Sequence, residues 1–366
     1  MLLIRCPLKF LLSIIGCAFL ISSCSTLPTF NLSNSEKSIP YERGVFHVHS
    51  LHSHDSSGSL HSIKRIAKHL NLDFVIITDH NNLNAKSELP NNQSSEEPLI
   101  MVGNEISTTD GHLISLGTEH LVETPVEPQD AIDQIREHNG YSVIAHPICD
   151  KAAWKDWNVS DYSGIEVFNH ACNFYDSNKA LFFLKSLLLP PELFTKHTLH
   201  EPREMLNQWD SLLKTRPLPA FGAVDAHERF GAFGFNLIRY NLLFRSVTIY
   251  VQKSNRNESA ILNNLFSGKS FIVFESLGKV EEFEFTAQSG SKTVSMGETV
   301  QTENPVSLFV KLNQSAEIHL IQDGVPIRVR EGKSLSLDMQ NKGVYRVEVF
   351  KNGRLWIISN PIRVNA

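Results

Sequence analysis

The sequence predicts an α/β protein in which a closed barrel of strands and helices is followed by a small β-sandwich. Three observations predict it. Short apolar runs recur from Tyr41 onward, each followed at once by a polar or ionisable residue, as buried parallel strands ending at one face require. Between several of them apolar residues fall three and four apart, as in Ile63, Ile66, Ala67 and Leu70 and again in Ala131, Ile132 and Ile135, the spacing of one helix face. After about Glu281 the texture changes to alternation, as in Glu282-Phe283-Glu284-Phe285 and Tyr345 to Phe350, with Asp323-Gly324 and Asn352-Gly353 as hairpin turns.

Taken in order, the chain opens with Arg5 and Lys9 followed by an apolar stretch from Phe10 to Ile21, too short to span a bilayer and suited to an export signal. It ends in Ile21-Ser22-Ser23-Cys24, which resembles a bacterial lipobox. Residues 1–23 therefore read as a lipoprotein signal peptide, with Cys24 the lipidated first residue of the mature chain. Residues 24–40, rich in Ser, Asn, Thr and Pro, read as a solvated tether. Residues 41–280 form the barrel, with strand candidates at Val45-Phe46, Phe74 to Ile77, Leu99 to Val102, Tyr141 to Ala145, Gly164 to Phe168 and Pro219 to Val224. Polar residues close each of these strands, and a barrel gathers such ends on one face where an open sheet spreads them along a line. The stretch from Asn173 to Arg216 breaks the rhythm and reads as a helical insertion; residues 281–366 are the sandwich.

With 42% apolar and 20% charged residues among 366, the chain can fill one large core and one small one. A net charge of -5 offers no basic field for a polyanion, so nucleic acid is not expected as a partner. Once the signal is removed, Cys149 and Cys172 are the cysteines of the folded part; a bridge between them and a pair of buried thiols both remain open.

Of the 16 histidines, seven fall between His47 and His80. In His47-Val48-His49 the alternate residues of a strand point to one side, so two imidazoles can hold one ion. Asp55 follows in Ser53-His54-Asp55-Ser56, and Thr78-Asp79-His80 ends the next apolar run. Further on come Gly103-Asn104-Glu105-Ile106 with Gly111-His112, then Ala145-His146-Pro147 and Val224-Asp225-Ala226-His227. Glu166 and Asn169 end another strand and either face the pocket behind the ligands or serve turn chemistry. Arg229 either steadies a phosphate or makes a loop salt bridge.

These five motifs, in this order over about residues 44–275, resemble the polymerase and histidinol phosphatase (PHP) superfamily. The resemblance implies a distorted TIM-like (β/α)7 barrel holding two or three divalent ions at its mouth. His47, His49, Glu105 and Asp225 would surround one ion, and Asp55, His80 and His227 another. Glu105 would bridge, His146 would join it at a second bridged metal, and His112 would complete that site or contact substrate. Asp55 stands where some members have histidine. Mixed imidazole and carboxylate donors suit Zn, Mn or Fe better than Mg. Such ions acidify a shared water into a hydroxide nucleophile, with Glu105, Asp225 and His112 as the catalytic side chains and His112, Asn169 and Arg229 toward the substrate. The expected activity is hydrolysis of a small-molecule phosphoester. Two alternatives stand: a carboxyl ester, amide or carbamate hydrolase resembling the CehA and McbA branch, and a non-catalytic surface-binding lipoprotein. The expected location is the cell envelope, lipid-anchored on the periplasmic face, with Ser25 after the acylated cysteine favouring the outer membrane.

Overall fold

In a computed structural model, residues 41–149, 152–175, 184–185, 188–228, 240–301, 304–339 and 341–365 are described. The signal peptide, Cys24, the tether, Arg229 and part of the expected insertion lie outside these residues. Seven strands come first in the chain: β1 (Tyr41–Val48), β2 (Phe74–His80), β3 (Leu99–Thr108), β4 (Gly111–Leu116), β5 (Tyr141–Ile144), β6 (Gly164–Asn169) and β7 (Ala220–Ala223). Each pairs with the next along the chain. The residues just after β7 return to β1: Val224 donates its backbone N–H to Phe46 at 3.0 Å and Ala226 to His47 at 3.2 Å, while His49 donates to Ala226 at 3.0 Å. The exits of the first and seventh strands are thereby side by side.

The expected strand–helix–strand repeat holds where a helix has room. Helix α1 (Leu60–His69) starts at Ser59, whose hydroxyl accepts the N–H of Ser62, and buries Leu60, Ile63 and Ala67. Helix α2 (Pro128–Glu137) has proline in its first turn, where no N–H is missed, and buries Ala131, Ile132 and Ile135. The repeat fails between β3 and β4, which are antiparallel, as are β4 and β5. Only Thr109 and Asp110 separate β3 from β4, too few for the crossover that parallel pairing needs, and Gly111 takes a φ of 123° in the turn. Alternate strand residues pack two ways. Val45, Val75, Ile77 and Val102 join α1 and α2 in one cluster, while Phe46, Phe74, Ile76 and Met101 form another with Ile261, Leu262 and Leu265.

The described part of the expected insertion holds α3 (His170–Tyr175), α4 (Pro191–Thr198) and α5 (Arg203–Leu213). Cys149 and Cys172 are joined as a disulfide with their Cα atoms 5.3 Å apart, tying the turn after β5 to α3. Beyond α6 (Tyr240–Leu243), β8 (Thr248–Gln252) runs antiparallel to β1, and α7 (Glu258–Phe266) and β9 (Ser270–Val273) follow.

The C-terminal strands are β10 (Phe283–Ser289), β11 (Lys292–Ser295), β12 (Thr299–Gln301), β13 (Val306–Gln322), β14 (Val325–Met339), β15 (Gly343–Lys351), β16 (Arg354–Ser359) and β17 (Ile362–Asn365). Both expected hairpin turns are present, with φ of 50° and 88° at Asp323-Gly324 and 53° and 70° at Asn352-Gly353, the left-handed pair that suits the strand twist. The tail shares its sheet with the first part of the chain, because β16 pairs antiparallel with β9 from Phe271↔Ser359 to Val273↔Ile357. Behind that seam lies a buried charge network. Arg346, 1% exposed, donates to both carboxylate oxygens of Asp210 at 2.6 Å and to Glu348 at 2.7 Å. Glu348 also accepts from Arg203 at 2.8 and 3.0 Å.

Candidate metal centre

Strands β1 to β7 and the turns beside them deliver the candidate side chains to one cleft. Three of these residues sit in the left-handed region, His47 (φ 67°), His146 (φ 30°) and Asp225 (φ 47°), which non-glycine residues occupy only when surroundings hold them there. The hold is visible: the carbonyl of His47 accepts from Ala226, and the backbone N–H of His146 donates to Glu166 Oε2 at 2.7 Å. At the centre is Glu105, 1% exposed. Its Oε2 lies 3.1 Å from His47 Nε2, 3.1 Å from His49 Nε2 and 3.3 Å from His80 Nδ1. Its Oε1 lies 2.7 Å from His112 Nδ1 and 2.9 Å from His146 Nε2. Asp225 Oδ1 lies 3.5 Å from both His47 and His49 and 3.3 Å from His227 Nδ1. Asp55 Oδ2 reaches His227 Nε2 at 3.1 Å and His80 Nε2 at 3.6 Å.

Among the described residues, four sets of donor atoms are close enough to share an ion: His49, Asp55, His80 and His227; His47, His146 and Asp225; His47, His49 and Glu105; and His80, Glu105 and His112. The donor set fits divalent cations. His47 Nδ1 is 2.6 Å from Glu166 Oε1, and His49 Nδ1 is 2.9 Å from Ser53 Oγ. With Nδ1 engaged behind the ring, each imidazole turns its Nε2 inward. Those two Nε2 atoms stand 3.0 Å apart and each lies 3.1 Å from Glu105 Oε2, so the three donor atoms face one point where a cation would meet all of them.

No family model matches the chain. Over 118 residues it is 30% identical to the uncharacterized protein MJ1587 of Methanocaldococcus jannaschii, an alignment covering 31% of this chain and 68% of that protein. The chain belongs to the family of that protein. Among solved structures it is similar to PsfC of Pseudomonas syringae, with a TM-score of 0.42 and 14% identity over 64% of this chain and 93% of that one. It is also similar to a protein described as a candidate metal-dependent phosphoesterase of Bifidobacterium adolescentis, with a TM-score of 0.31 and 14% identity over 55% and 93%. An amidohydrolase of Chromobacterium violaceum, holding sulfate and no metal, gives a TM-score of 0.34 and 12% identity over 50% and 87%. Likenesses at this level carry no argument about activity.

In this member of the MJ1587 family, burial and charge compete at the central carboxylates of the cleft and at His47. Burial pushes Glu105 up, yet His47, His80 and His112 outweigh it and hold the carboxyl well below the usual range. Asp225 and Asp55 are likewise held low against burial, by His47 and His49 in one case and by His227 and His80 in the other. Burial pulls His47 down, but Asp225, Glu105 and Glu166 raise it well above an ordinary imidazole. His49 goes the other way, lowered by burial and by the neighbouring His227.

Asp55, His80, Glu105, His112, His146, Asp225 and His227 line a cavity of ≈ 230 Å³ over the cluster. His47 and His49 are wholly buried beneath it. Asn169 is set back: it donates to Glu166 Oε2 at 2.9 Å and lines a neighbouring cavity with His146. Sequence reasoning left Glu166 open between two roles and gave none to Ser53, whose hydroxyl meets both the His49 ring and the backbone N–H of His80, the latter at 3.0 Å. The only sequence signal for Ser53 was its place two residues before Asp55. Asp79 is no ligand candidate here, because its carboxylate is taken by the backbone N–H and hydroxyl of Ser50 at 2.6 and 2.7 Å, which fixes the loop leaving β1.

Proposed function

We propose that the protein is a metal-dependent hydrolase of the PHP type, acting on a small-molecule ester with a phosphoester preferred. The observation that supports this best is the meeting of five imidazoles, from His47, His49, His80, His112 and His146, on the single buried carboxylate of Glu105 within 2.7–3.3 Å. His47, His49, Asp55, His80, Glu105, His146, Asp225 and His227 would hold two or three ions of Zn, Mn or Fe. Such ions, when bound, supply an acidified water and polarise the electrophile. The chain's own part is positional and protonic. Glu105 and Asp225, held deprotonated, fix negative charge at the centre, and Glu166 and Ser53 fix the tautomers of His47 and His49. His112, with a quarter of its side chain exposed and its Nδ1 on Glu105, is the side chain we place against the substrate's leaving group.

A second reading, a carboxyl ester, amide or carbamate as substrate, is favoured by one observation: among the described residues no lysine or arginine lines the cleft. Metal analysis and assays on generic phosphomonoester, phosphodiester and carboxyl ester substrates with Mn or Zn separate the two. His49→Ala and Asp225→Ala should each lose bound metal and activity while staying folded; unchanged metal content in both overturns the ligand assignment. We also propose that the chain is exported and anchored to the cell envelope through lipid on Cys24. Cys24→Ser should then abolish incorporation of labelled fatty acid and release the protein from the membrane fraction.

A further inference from the structure

Beside the metal cleft lies a second cavity of ≈ 210 Å³, and His146 is in the wall of both. Its other walls come from the turn after β5, the end of β6 and the start of α5, including Ile148, Glu166, Asn169, Arg203 and Met205. Because the two cavities meet at a candidate metal ligand, a substrate whose scissile group sits over Glu105 has this space for the rest of its body. Charge decides what that body is. Glu166, Glu201 and Glu204 are in the lining, with Arg203 as its guanidinium and His146 and His200 as its imidazoles among the described residues. Arg203 is already spent. Its Nε donates to Glu201 at 2.8 Å, its Nη1 and Nη2 donate to Glu348 at 3.0 and 2.8 Å, and Nη2 also donates to Glu201. Four of the five guanidinium donors are thus used on carboxylates of the protein itself. The remaining wall is apolar, from Ile148, Phe168 and Met205.

Resting on the hydrolase reading above, we propose that this cavity is the leaving-group subsite and that it takes a small neutral or cationic alcohol and rejects one carrying a second negative charge. Glu348, which belongs to β15, holds Arg203 from behind, so the C-terminal strands take part in that selection by keeping the guanidinium from acting as an anion clamp.

The test uses the full chain loaded with Mn²⁺ and two alcohols of similar size, ethanolamine and glycolate, each as its phosphate monoester and as its acetate ester. The expected result is that kcat/KM favours the ethanolamine ester over the glycolate ester by about tenfold, and that Glu204→Gln or Glu201→Gln narrows this ratio about fivefold, as one unit of charge at short range does. Both side chains are exposed, so the packed core is untouched. Cleavage of the acetates alone, with the same preference, removes the phosphoesterase reading and keeps the subsite. If no ester is cleaved, the hydrolase reading fails, and the two phosphates are compared as ligands by calorimetric titration. A preference for glycolate in either measurement, or a ratio that neither variant moves, overturns the subsite.

Discussion

Two charge networks with buried centres lie in this molecule, and they are built on opposite plans. Behind the seam of α5 and β15, Arg346 and Arg203 meet Asp210, Glu348 and Glu201, so permanent cations face permanent anions and the guanidinium donors end on carboxylates. At the strand ends, the carboxylates of Glu105, Asp225, Asp55 and Glu166 meet imidazoles, which carry charge only when protonated. The first network satisfies itself and holds structure together. The second is short of permanent positive charge, and a group of donors arranged this way is complete only with cations from outside.

The largest effect should come from breaking the closed network. Arg346→Ala leaves Asp210 buried without its partner and Glu348 held by Arg203 alone, and loss of one member of a buried ion pair costs about 3–5 kcal/mol. A denaturant midpoint measures it, while metal content per folded molecule should stay as in the wild type. Loss of metal together with stability would mean that the tail supports the strand ends as well as the seam.

The open network should respond to chelation where the closed one does not. Removing ions bound at a hundred times their Kd withdraws about 2.7 kcal/mol per site, so chelator should lower the thermal midpoint of the wild type and of Arg346→Ala alike. In Glu105→Gln the shift should shrink, since the carboxylate shared by two of the four donor sets is gone. A chelator shift of full size in Glu105→Gln would show that the ions sit elsewhere.

Much of this contrast was legible in the sequence, but only on one side. The ligand motifs stood at the ends of apolar runs because strands that end at a common face must carry their chemistry there, and nine of the residues so marked, His112 included, do share the cleft or its floor. The antiparallel β4 was not legible as such, because Gly111–Leu116 has the same apolar texture as a parallel strand, and only the two-residue connection before it betrays the reversal. Arg346 and Glu348 were hidden by the alternation rule itself. In β15 they occupy the face opposite Tyr345, Val347 and Val349, which reads as solvent-facing until α5 is known to cover it.

A buried imidazole outside both networks sharpens the comparison. Among the described residues no carboxylate shifts His170, and burial, with His200 nearby, pushes its pKa down from 6.5 to about 4. The unfolded chain therefore binds a proton that the folded one refuses. For a depressed folded pKa, the stability is present above the unfolded value and is lost as pH falls from about 6.5 toward 4, by about 3 kcal/mol at most. His170→Gln should flatten that slope when both proteins are unfolded in chelator, where the cleft histidines titrate equally in each. An unchanged slope would mean that His170 is protonated in the fold.

The smallest effect should come from the group that links strand geometry to the open network. Glu166 is wholly buried and accepts from His47 Nδ1 at 2.6 Å, from the backbone N–H of left-handed His146 at 2.7 Å and from Asn169 at 2.9 Å. Its charge strengthens His47 as a donor through the ring, as carboxylates behind metal-bound imidazoles do. Glu166→Gln keeps the shape and removes the charge, so folding in chelator should hardly change while metal affinity falls about 10- to 100-fold. A competition titration against a chromogenic chelator reads this directly. Equal affinity in the two proteins would assign Glu166 to the backbone of His146 alone, and the tautomer of His47 would then be set by the cluster in front of it.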